Sequence, residues 1–160
     1  MYEHVFKLQS KLFKALAHPR RLEIIQLLQG QKLSVSEIYQ MLDLPQANVS
    51  QHLMVLRDTQ ILHTKKNGKQ IYYQISDPLI LKAVETIRSL TIKQHKNSSV
   101  TDELTLNMEQ LVPVVHDPVC QMRVSPKTAS YAIKHKGQTY YFCASGCYKK
   151  FKDNPKKYVT

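Results

Sequence analysis

Apolar residues recur at helical spacing through the first third of the chain. Val5, Leu8, Leu12 and Leu16 mark one helix, and Leu22, Ile25 and Leu28 mark a second. His18-Pro19 separates them, with the proline suited to the first turn of the second helix, and Gly30 ends that helix. Ser34 or Ser36 caps a short third helix through Leu42, and Asp43 to Pro45 turn the chain into a fourth. The fourth runs from about Gln46 to Thr59 and buries Val49, Leu53 and Leu56. Gln46, Asn48, Ser50, Gln51 and His52 are left to face outward at its N-terminal end.

The pattern then changes period. ILHTKK and QIYYQIS are β-prone runs joined across Asn67-Gly68, a strong hairpin signal. A further helix spans Asp77 to about His95, with Leu81, Val84, Ile87 and Leu90 on one face. Helix, turn, helix and basic hairpin predict a winged helix-turn-helix over residues 1–95. Residues 96–115 turn polar and acidic and read as a linker, in which Leu104, Met108 and Leu111 suit one short amphipathic helix. Over residues 116–160, SYAIKH and QTYYF flank Lys136-Gly137, and a helix from about Ser145 ends before Asn154-Pro155. The predicted fold class is mainly α (α+β), a winged helix followed by a small hairpin-and-helix module.

Charge narrows the partners. The net charge is +11, with 13 basic and 7 acidic side chains in residues 1–95 and 9 against 2 in residues 116–160. Such an excess favours a polyanion. No stretch approaches the roughly 20 apolar residues of a membrane span, and Glu3, Lys7 and Lys11 interrupt the start where a signal peptide is apolar, so a cytoplasmic protein with no membrane partner is expected. No nucleophile, base and oxyanion arrangement and no nucleotide-binding loop is present, which points away from an enzyme.

Short polar side chains at a helix N-terminus suit the major groove, where Gln and Asn match the edge of adenine. Lys65, Lys66 and Lys69 surround the following turn, where a wing meets phosphates. FKALAHPRRLEIIQLL, followed by SVSEIYQMLDLPQANVSQHLMVLRDTQILHTKKNGKQIYYQIS, resembles the ArsR/SmtB family of bacterial winged-helix repressors, NVSQHLMVLRD being the most specific part. That resemblance implies a homodimer built on the first and last helices, bound to an inverted repeat in double-stranded promoter DNA and released by an inducer. Three features depart from the family. Ser34 and Ser36 stand where its third-helix metal site has cysteines, the last helix lacks the His and acidic pairs of its zinc site, and Gln60 replaces the glycine usual before the wing. Metal sensing is therefore not expected in this domain.

The chain has three cysteines, in the pattern C-x22-C-x3-C. Cys143 and Cys147, four positions apart at a helix start, share one face, and two such thiols serve packing, a metal or redox chemistry. A turn supplying Cys120, a hairpin and a helix start can bring three sulfurs to one ion, and a helix N-terminus favours thiolate. DPVCQMRV and YAIKHKGQTYYFCASGCYKKFKDNPKKYV resemble the YHS domain, a small metal-associated module related to the TRASH domain, with Gln121 in place of a glycine. The resemblance implies Cys120, Cys143 and Cys147 as ligands. Three thiolates suit Cu(I), whereas Zn(II) prefers a fourth donor, for which His116 and His135 are the candidates. In about 45 residues little else is available as a core than Tyr140 and Phe142, so a bound ion is expected to help fold the module. The expected function is a metal-responsive repressor. The alternatives are a regulator with a structural zinc and thiol oxidation as its signal, and a metal carrier that sequesters its ion.

Overall fold

The proline that interrupts the first apolar stripe also starts the second helix. In the computed structural model, which describes residues 2–96, 101–105, 114–126 and 129–159, α1 spans Tyr2–Leu16 and α2 spans Pro19–Leu27. His18 caps α2, its Nδ1 accepting from the Arg20 amide at 3.2 Å, and Gly30 follows in the left-handed region at φ +70°. Of the two serines that suit the third helix (α3, Val35–Leu42), Ser34 is the cap. Its Oγ accepts from the Glu37 amide at 3.3 Å, while the Glu37 carboxylate accepts from the Ser34 amide at 2.9 Å, a reciprocal capping box.

Helix α4, Gln46–Asp58, buries Val49, Leu53 and Leu56 completely, one residue per turn along a single face. Leaving it, Gln60 takes the left-handed φ of +59° where a glycine is usual. An L side chain adopts that conformation at a cost of about 1–2 kcal/mol. Strands β2 (Leu62–Asn67) and β3 (Gln70–Ile75) form the wing. Asn67 pairs with Gln70, so the two-residue turn is Gly68-Lys69. A third strand, β1 (Leu33–Ser34), was not foreseen; it pairs antiparallel with β3 and makes the order β1-β3-β2.

Helix α5, Pro78–Gln94, starts at Asp77, whose Oδ1 accepts from the Leu79 amide at 2.8 Å. Its expected apolar face splits: Val84 is buried, whereas Ile87 and Leu90 are half exposed or more. On α1 the stripe of Val5, Leu8 and Leu12 is likewise exposed, with Ala15 the buried residue. A five-residue helix, α6, covers Thr101–Thr105; Met108 and Leu111 of the amphipathic helix expected there lie outside the described residues.

The described chain forms two compact units, Met1–Ile38 with Pro45–Asn107, and Met108–Thr160 with Tyr39–Leu44. In the second, β4 (Val115–His116) pairs with β5 (Arg123–Val124), and β6 (Tyr131–His135) pairs with β7 (Gln138–Phe142) across a Lys136-Gly137 turn with both φ angles positive. Helix α7, Ser145–Asp153, packs its fully buried Phe151 against Tyr140 and Phe142, with ring centroids 5.1 and 5.2 Å away.

Leu56→Ala empties a site sealed from solvent under α4. It is expected to lower stability by about 2–5 kcal/mol, measured by chemical denaturation followed through helical circular dichroism.

Candidate metal centre and nucleic-acid interface

Three segments deliver the sulfurs. Cys120 ends the turn between β4 and β5, Cys143 follows β7 directly, and Cys147 lies in the opening turns of α7. The Sγ atoms of Cys120 and Cys143 are 3.5 Å apart, and those of Cys143 and Cys147 are 3.7 Å apart. Sulfurs bound to one tetrahedral ion at the usual ~2.3 Å stand roughly 3.8 Å from each other, so the observed spacing suits a common thiophilic cation.

Asp117 completes the cluster and was missed in the sequence. Its carboxylate and the three sulfurs all lie within 4.8 Å of one another. Asp117 is fully buried, and its Oδ1 accepts from the amides of Val119 at 2.8 Å and Cys120 at 3.4 Å, while Oδ2 accepts from the amide of Cys143 at 2.9 Å. The turn closes behind it through Gln121, whose amide donates to the Asp117 carbonyl at 2.9 Å with φ at +62°. The proposed fourth donors stand elsewhere. His116 is exposed on β4, and His135 sits edge-on to Phe151 with its Nε2 buried and unpartnered. Neither belongs to the converging group among the described residues.

The electrostatics follow from the buried carboxylate. Burial opposes ionisation of Asp117, but hydrogen bonds from Cys143, Val119 and Cys120 outweigh it and hold the group below the usual carboxylate range. Cys143 is pushed up, first by burial and then by its hydrogen bond to Asp117 and by the neighbouring thiols. Cys147 is raised as well, chiefly by burial, against the thiolate expected at a helix start. The carboxylate and the burial together favour the protonated thiols of Cys143 and Cys147 until a cation replaces the protons.

On α4 the side chains of Gln46, Asn48, Ser50 and Gln51 are exposed. His52 differs: it is half-buried with its ring tilted at 45° against that of His18, centroids 4.4 Å apart, and burial, followed by the charges of His18, Arg21 and Arg20, lowers its pKa. Lys65, Lys66 and Lys69 are exposed along the wing. Lys32 joins them, its Nζ lying 6.0 Å from the centre of the Tyr72 ring in a concavity of about 250 Å³ lined also by Lys65, Lys66 and Asn67. Only the pairing of β1 with β3 brings Lys32 there, so no local pattern pointed to it.

Fold and surface define a winged-helix DNA-binding regulator with an appended cysteine module. Residues 18–64 match the model of bacterial regulatory proteins of the arsR family, and residues 115–160 match the YHS domain. The chain is similar to the transcriptional repressor PagR of Bacillus anthracis, 42% identical over 72 residues that make up 44% of this chain and 72% of PagR. Reduced HlyU from Vibrio cholerae superposes with a TM-score of 0.51 at 32% identity, over 56% of this chain and 94% of HlyU. A shorter stretch, 47 residues at 45% identity, is similar to a copper-transporting P-type ATPase of Rhizobium leguminosarum, covering 29% of this chain and 6% of the transporter. The chain therefore belongs to the arsR family of bacterial regulatory proteins, which are not enzymes, and carries a C-terminal YHS domain.

A raised thiol pKa slows alkylation, because only thiolate reacts. In reduced, metal-free protein at about pH 8, Cys143 is expected to react with iodoacetamide at least about tenfold more slowly than in the unfolded chain. Its rate should still climb above about pH 9, where the unfolded thiol levels off, as read by mass spectrometry of quenched digests.

Proposed function

We propose that this protein is a metal-responsive transcriptional repressor, in which uptake of a soft cation by Cys120, Cys143 and Cys147 lowers affinity for operator DNA. The observation that carries this reading is the convergence of three sulfurs, at 3.5 and 3.7 Å, from positions up to 27 residues apart in the chain. Cu(I) is the favoured ion, since thiolates select soft metals and the likeness to a copper transporter falls on a short stretch alone. Zn(II) remains the competitor for the same donors. Thiol oxidation as the signal is disfavoured, because a Cys143 thiol held protonated is a poor nucleophile toward an oxidant.

The DNA-reading residues are Gln46, Asn48, Ser50 and Gln51, with His52 supporting the helix from the side. Lys65, Lys66, Lys69 and Lys32 meet the phosphates. Exposed apolar stripes on α1 (Val5, Leu8, Leu12) and α5 (Ile87, Leu90) support a homodimer, which sets two reading heads on an inverted repeat. A regulator of this kind works in the cytoplasm, and no helix among the described residues is long and apolar enough to cross a membrane.

A gel shift with the protein's own upstream DNA under reducing conditions tests the switch. Cu(I) is expected to weaken wild-type binding about tenfold or more and to leave Cys143→Ser unchanged; an equal response in both removes the cysteines from the mechanism. Replacing Lys65 and Lys66 together with alanine is expected to weaken binding to all duplexes alike. It should also flatten the dependence of log affinity on log salt by about 2, one for each phosphate that is no longer neutralised.

A further inference from the structure

We infer that Asp117 is a positioning residue that assembles the cysteine site before an ion arrives, by tying the Cys120 turn to the Cys143 turn. A carboxylate offers about four lone-pair sites. Three are taken by the amides of Val119, Cys120 and Cys143, so the carboxylate is committed chiefly to the backbone of the two turns.

The span of these bonds gives them their effect. Asp117 and Cys143 are 26 residues apart, and a charge-assisted bond between them fixes the Cys143 backbone at the point where β7 ends and α7 has not begun. On the near side the same carboxylate orders the turn that presents Cys120, which the Gln121 to Asp117 and Asp117 to Met122 backbone bonds then close. Fixing both turns sets the separation of the Cys120 and Cys143 sulfurs without help from a cation. Ion binding then replaces protons in a formed pocket and does not fold a loose tail.

This inference rests on the metal reading only for its effect on affinity, and the test separates the two. Amide exchange is followed by NMR in the full chain, reduced and stripped of metal, for wild type, Asp117→Asn and Cys147→Ser. The amides of Val119 and Cys143 are expected to exchange slowly in metal-free wild type and in Cys147→Ser. In Asp117→Asn, which keeps one accepting oxygen and replaces the other with a nitrogen that accepts nothing, one of the two amides is expected to speed up about ten- to a hundredfold. Titration with Cu(I) against a competing chelator is expected to show the same sulfur-to-copper absorption band and stoichiometry in Asp117→Asn as in wild type, with affinity about ten- to a hundredfold weaker.

Fast exchange in metal-free wild type overturns the inference. So does an altered band in Asp117→Asn with exchange unchanged, which makes Asp117 a ligand. If the Asn variant does not fold, the metal-free wild type and Cys147→Ser decide: slow amides in both uphold the clamp and fast ones sink it. If wild type takes up no Cu(I), the function proposed above fails while the exchange data still judge Asp117.

Discussion

A carboxylate with no exposed surface persists as an anion only where donors surround it. Asp117 meets that condition with amides from two turns, and the geometry of the C-terminal unit follows from it. The unit has few other means of fixing those turns. Among the described residues from 114 onward its buried apolar side chains are Val124, Phe142 and Phe151, and the rings of Tyr140 and Tyr158 add partial cover around Phe151. Such a core holds the β6-β7 hairpin to α7, while the turn that carries Cys120 is bonded to the Asp117 carboxylate. There the buried charge takes over, and the raised Cys143 thiol accompanies a carboxylate held so close.

The DNA-binding unit solves a related problem with apolar contacts. One stripe of α4 is wholly buried, which leaves its N-terminal polar side chains no direction but outward. The capping box of Ser34 and Glu37 sets the start of α3, and the left-handed Gln60 sets the angle at which the chain enters the wing. An arsR-family chain usually has glycine at that point. Gln60 shows that the backbone conformation is kept when the residue best suited to it is absent, because the strain is small beside the burial of Ile61 and Leu62 directly after it.

How much of this was legible in the sequence depends on distance along the chain. The α4 stripe, the two hairpins and the Asp77 start of α5 are set by residues within a few positions of each other, and periodicity and cap chemistry exposed them. Strand β1 is two residues long and exists only through β3, some 40 positions later, so no local pattern announced it. By its spacing alone His52 faces outward, and nothing near it in sequence shows that the His18 ring lies against it. The cysteine pattern was visible, but Asp117 was not. Beside a proline it looks like a turn residue, and its main partner is an amide, which every residue but proline has and no pattern can mark.

The apolar stripes left exposed on α1 and α5 bear on how strongly an ion can act. A single reading head of four short polar side chains contacts too few bases for strong discrimination, so operator affinity in the proposed dimer depends on both heads binding at their correct spacing. In the proposed mechanism each protomer carries its own cysteine site, and both sites would bias one shared equilibrium between a binding and a nonbinding arrangement. Coupling free energies of equivalent sites add, so a roughly tenfold effect per ion becomes about a hundredfold when both are filled. A preassembled pocket sharpens this further: no binding energy is spent on ordering the turns, and more of it is available to separate the two states of the dimer.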